Sequence, residues 1–129
     1  MDYAGAYTTS KTALIRLTES TAKEAAEHGV RVFAISPGLV KTAMPSALVT
    51  SEAGKKWIPR FAAGALDNAI PPERAAQLCV TLASGAADAL SGRMLGVQDD
   101  IEALAGAAEA ITAGDLYVLR MNTLPVAAK

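Results

Sequence analysis

The sequence predicts an α/β fold, part of a larger, doubly wound parallel sheet. Three observations lead there. A long helical pattern over residues 6–28 stops at Gly29 and runs straight into a short apolar segment, residues 30–35. A second helical pattern, opened by Pro71-Pro72-Glu73, is followed beyond Ser91-Gly92 by another short strand at residues 93–97. That leaves two strands for about four helices, and an isolated two-stranded sheet is marginal in water. The first strand is nearly all apolar, so it reads as buried on both faces and expects neighbours.

The first helix places Tyr7, Lys11, Leu14, Thr18, Thr21, Ala22 and Ala25 on one face. Arg16, Ser20, Lys23 and Glu27 fall on the opposite, solvent-like face. Gly29 is suited to a left-handed helix stop. Helix, tight turn and buried strand form the αβ half of a Rossmann-type unit. Ser36-Pro37-Gly38 ends the strand abruptly. Residues 39–70 are irregular. Short helices are expected over 43–49 and 51–57, because Pro45, Gly54, Pro59 and Gly64 interrupt any long one. An insertion of this kind in a compact domain is usually functional, such as a lid, or else mobile. In the next helix Ala75, Ala76, Cys79, Leu82 and Ala83 make the apolar stripe. Asp99 or Asp100 caps a last helix carrying Ile101, Leu104, Ala108 and Ile111, and Gly114 ends it. Residues 115–124 read as an extended tail.

Composition narrows the function classes. The chain has 129 residues, 51% of them hydrophobic, which is too apolar for disorder. Twelve basic and thirteen acidic residues leave a net charge of −1, which gives no case for nucleic acid or an anionic membrane. No apolar run is long enough to span a bilayer, and no signal peptide is visible, so a cytoplasmic location is the default. The single cysteine allows no internal disulfide. Cys79 reads as a small core residue and His28 as a helix-end residue. With no second histidine, no metal site is expected.

Tyr7 and Lys11 lie four residues apart, hence on one helix face. A cation near a phenol favours the phenolate, so such a pair suits general acid/base work on a hydroxyl or carbonyl. With Tyr7-x-x-x-Lys11, the long helix, the strand and then Pro37-Gly38-x-Val40-x-Thr42, the chain resembles the short-chain dehydrogenase/reductase family. Ser10 before the lysine, Gly29-Val30-Arg31-Val32, Pro72-Glu73, Leu82-Ala83-Ser84 and Ser91-Gly92-Arg93 agree in order. The resemblance covers residues 3 to 98 and corresponds to the C-terminal half of that family's domain, with residues 99–129 as a helical and extended tail. Asp99-Asp100 stands where the family commonly carries two glycines.

The resemblance implies an NAD(P)-dependent oxidoreductase interconverting an alcohol and a carbonyl. Tyr7 would be the acid/base, and Lys11 would activate it and hydrogen-bond the nicotinamide ribose. Pro37, Gly38, Leu39 and Val40 would meet the nicotinamide carboxamide, with Thr42 on the carboxamide or the neighbouring phosphate. Residues 43–66 would form the substrate lid, where Met44, Leu48, Trp57, Ile58 and Phe61 suggest an apolar substrate. The family's glycine-rich phosphate turn, catalytic serine and helix-borne asparagine all belong upstream of Tyr7, so a truncated chain lacking the N-terminal dinucleotide-binding half is expected. The family's tyrosine-bearing helix often packs between subunits, which implies a homo-oligomer. The alternative is a non-catalytic fragment that acts as an oligomerisation or interaction module, docking onto a missing N-terminal half or onto itself.

Overall fold

A computed structural model describes residues 4–123. Helix α1 (Gly5–Ala25) continues as a single 3₁₀ turn, Ala26–His28, and stops at Gly29, whose φ of 70° is the left-handed value expected there. Strand β1 (Ala34–Ser36) follows. The insertion then folds as three short helices, α2 (Ala43–Thr50), α3 (Glu52–Trp57) and α4 (Pro59–Ala62). Ser51 caps α3 by accepting from the Gly54 amide. Helix α5 (Glu73–Ala83) leads through a 3₁₀ turn to strand β2 (Met94–Gly96). Helices α6 (Ile101–Gly106) and α7 (Ala108–Ala113) complete the order, with Asp100 capping α6 through the Ala103 amide. The single last helix expected from the sequence is therefore broken at Ala107. Asp99 has a separate task and accepts from the Gly96 amide.

The strands pair in parallel, Ala34 with Met94, Ile35 with Leu95 and Ser36 with Gly96. Among the described residues these two strands are the whole sheet. An isolated parallel bridge between Val40 and Ile70 continues the pattern beyond β1, with the Ile70 amide donating to the Leu39 carbonyl. Side chains alternate across the strands. On one face Leu95 joins Leu78 and Leu82 of α5, Ile101 of α6 and Ile111 of α7, with Phe33 packed against them. On the other face Ser36, Met94 and Gly96 meet Ile15 of α1 and the residues after Gly114. The result is a helix–sheet–helix sandwich, the layering of an α/β unit.

Three readings of the sequence need correction. Strand β1 starts at Ala34, four positions later than the apolar run, and Ile35 is 37% exposed. Among the described residues only one side of β1 has a partner strand, as the sequence reading expected, so its apolar residues are not covered on every side. In α5 the buried residues are Leu78 and Leu82, and Cys79 is exposed. The helix is rotated so that the i, i+4 pair of leucines meets the core and the cysteine lies just outside it. In α1 the buried residues are Thr18, Glu19 and Ala22, whereas Tyr7, Lys11 and Leu14 are exposed.

The segment after α7 is not a free tail. The backbone turns back through Asp115 and Tyr117, with φ of 51° and 60°. Left-handed backbone costs a non-glycine residue roughly 1–2 kcal/mol, so contacts must hold it. The Met94 amide donates to the Tyr117 carbonyl, which closes the outer edge of β2. Arg16 donates to the Leu119 carbonyl at 2.6 Å, and Arg120 pairs with Glu19 at 2.8 Å and Asp115 at 2.7 Å. Glu19, 4% exposed, also pairs with Arg16 and Lys23. A buried carboxylate needs such partners. Hydrogen bonding from Arg120 holds its pKa down at about 2. Leu124 of the expected tail lies outside the described residues.

Candidate active site

A cleft of about 660 Å³ opens between the N-terminal end of α1, the turn after β1 and the three insertion helices. This is an ordinary size for a small-molecule site. All seven residues singled out from the sequence line it: Tyr7 and Lys11 from α1, and Pro37, Gly38, Leu39, Val40 and Thr42 from the turn. The α1 pair arises from helical spacing, and the Lys11 ammonium lies 5.5 Å from the centre of the Tyr7 ring. Tyr7 is 56% exposed, so its phenol is open to the cleft and to solvent. Ser10 takes no part in that pair. Its hydroxyl donates to the Tyr7 carbonyl, locking the first turn of the helix.

The turn is held by packing. Gly38 has φ of 71°, and a Cβ there would come within 2.6 Å of the Ile70 Cδ1. The Ile70 amide takes the Leu39 carbonyl, so this backbone is pinned while Thr42 leads into α2. The opposite wall is apolar, with Met44, Pro45 and Leu48 from α2, Ala53, Gly54 and Trp57 from α3, then Ile58 and Phe61. Gly54 was read only as a helix breaker. A Cβ on it would collide with the Leu48 carbonyl oxygen, so its role is to let α3 lie directly on α2. The Lys56 ammonium stacks over the Trp57 ring at 4.5 Å.

This arrangement fits the nicotinamide end of a dinucleotide. It supplies a hydroxyl at Thr42, an ammonium at Lys11 and a close-packed glycine turn. The pyrophosphate needs a strand, a glycine-rich turn and a helix N-terminus in sequence. The described residues contain no such set. They contain no cluster of metal-binding side chains, and no helix among them is long and apolar enough to cross a membrane.

A family model described as enoyl-(acyl carrier protein) reductase matches residues 1–99. The chain belongs to the short-chain dehydrogenase/reductase family. Galactitol 2-dehydrogenase of Rhizobium johnstonii is 39% identical over 71% of the chain and 35% of its own length. A short chain dehydrogenase of Monascus purpureus is 36% identical over 92% of the chain and 36% of its own length. A 3-oxoacyl-(acyl-carrier-protein) reductase of Thermotoga maritima is 32% identical over 70% of the chain and 35% of its own length. The chain thus spans about a third of the length of the curated relatives it matches. The Monascus match is long enough to take in most of the segment after residue 99, so that segment has a counterpart in a relative. No solved structure matches.

Proposed function

We propose that the chain carries the acid/base and substrate-side half of an NAD(P)-dependent oxidoreductase that interconverts an alcohol and a carbonyl. The observation that carries this reading is the shared cleft: Tyr7, Lys11 and residues 37–42 line the same space. A bound nicotinamide dinucleotide supplies or accepts the hydride. Tyr7 holds a proton at its phenolic oxygen, giving it to a substrate oxygen in reduction and taking it back in oxidation. Lys11, whose ammonium lies 5.5 Å from the centre of the Tyr7 ring, hydrogen-bonds the ribose. Thr42 can donate and accept, which suits a carboxamide. The phosphates and adenosine are held by further polypeptide, an N-terminal half that pairs with the open side of β1. The test is oxidation of NADH or NADPH by carbonyl compounds, with wild type against Tyr7→Phe. Loss of turnover in the variant is expected, and unchanged turnover would sink the role of Tyr7.

A second reading is favoured by a different observation. Leu14 and Leu17 are 50% and 59% exposed on α1, and among the described residues β1 has one side without a partner strand. Exposed apolar groups beside an open strand edge suit docking. In this reading the chain is a non-catalytic interaction module for a second copy or another polypeptide. Titration with NADH and NADPH separates the two: saturable micromolar binding by the purified chain removes the strongest form of the docking reading. Size exclusion over a range of concentrations reads the self-association that both readings expect.

A further inference from the structure

We propose that the substrate is a neutral aliphatic carbonyl compound or its alcohol, with an apolar chain of several carbons, and that polyols and sugar acids are poor ligands. This rests on the oxidoreductase reading and names its substrate class. Among the described lining residues the polar side chains are Tyr7, Lys11 and Thr42, with the indole of Trp57. The lid wall, built chiefly by Met44, Leu48 and Trp57, adds no hydroxyl, amide or carboxylate side chain among the described residues. Lys11 is the only charged side chain among the described lining residues. A hydroxyl buried against such a wall loses its water and gains no partner. A methylene buried there gains. The polar end can satisfy one oxygen at the reacting carbon, and the wall beyond it is carbon apart from the indole of Trp57. Gly54 is the structural reason the wall is continuous, since any side chain there would push α3 away from Leu48. The relative named for galactitol is therefore a poor guide to the ligand of this chain, in spite of its 39% identity.

Trp57 is the only tryptophan in the chain and it lines the cleft, so its fluorescence reports occupancy without any cofactor. The full chain is titrated with methyl ketones of rising length, from butanone to octanone, and with galactitol. A saturable emission shift is expected for the ketones, with the half-saturating concentration falling by up to roughly fourfold per methylene. No saturable shift is expected for galactitol. Leu48→Glu, at a partly exposed lid position, is expected to weaken octanone binding at least about tenfold, with circular dichroism checking that the helices persist. Three results overturn the proposal: galactitol saturating as readily as octanone, ketone affinity independent of length, or no saturable shift with any ketone. Tyr7→Phe separates this from the catalytic reading. The rise of affinity with ketone length persists in that variant if the substrate class is right, because the apolar wall and not the phenol sets it, and carbonyl reduction disappears only if Tyr7 is the acid/base.

Discussion

The two halves of α1 serve opposite ends. The first half carries Tyr7 and Lys11 on an exposed face with a single loose contact between them, 5.5 Å from ammonium to ring centre. The second half buries Glu19 and satisfies it with Arg16, Lys23 and Arg120 at 2.6 to 3.1 Å. One helix thus presents an open pair at one end and is clamped to the rest of the chain at the other. The two edges of the sheet repeat the contrast. The outer edge of β2 is closed by the Tyr117 carbonyl, while β1 has no partner strand on its far side among the described residues. The groups that line the cleft are left accessible at one end, and the scaffold is tied down a few turns away. The open edge also marks where further polypeptide can add to the sheet.

The sharpest way to break this comparison is to find that the two halves of α1 are not separable. Tyr7→Phe is expected to lower carbonyl reduction by roughly 10²–10⁴-fold and to leave the melting temperature unchanged, since Tyr7 is exposed. Assays of NAD(P)H oxidation alongside thermal melts check both parts. Glu19→Gln is expected to do the reverse. It leaves Arg120 without its buried anion and costs roughly 1.5–3 kcal/mol of stability, read by urea unfolding, with the emission of Trp57 in the cleft unaffected. Gly54→Ala tests the lid alone. Collision with the Leu48 carbonyl forces α3 off α2 and costs roughly 1–3 kcal/mol, with loss of ketone binding but no change in the acid dependence of folding.

The acid dependence isolates the clamp. Glu19 is held at about 2 in the folded chain against 4.5 as a free side chain, and Asp115 is also lowered by its hydrogen bond to Arg120. Both carboxylates bind protons more readily when unfolded, so their stabilisation is complete above pH 4.5 and disappears as pH falls toward 2. Urea midpoints measured across this window are expected to fall with pH in wild type and to fall less steeply in Glu19→Gln. Equal slopes would show that the clamp is not electrostatic.

The cleft was legible in the sequence because its signals are local. Helical spacing joins Tyr7 to Lys11, and Pro37-Gly38 marks the turn that follows β1; the other three residues, Leu39, Val40 and Thr42, were named through the family resemblance that these motifs carry. The clamp was not legible. Arg16 and Lys23 read as a solvent face, and nothing near Glu19 announces that Arg120, a hundred residues away, returns to it. Cys79 was misplaced for a similar reason. An alanine-rich helix offers several nearly equivalent apolar stripes, and only the leucines at 78 and 82, facing Leu95, choose among them. Gly54 reads as a helix breaker in any sequence window, because the Leu48 carbonyl it must clear belongs to the neighbouring helix.

The amino-acid sequence by itself determined the α/β class, the helix stop at Gly29, the broken helices of the insertion and the placing of Tyr7 and Lys11 on one helix face. Each of these follows from interactions between residues a few positions apart. Only the tertiary structure decided which face of α1 is buried, that the segment after Gly114 closes the edge of β2, and that the pair, the turn and the apolar insertion share one cleft. Those depend on contacts between distant parts of the chain, where burial and charge pairing outweigh local preference.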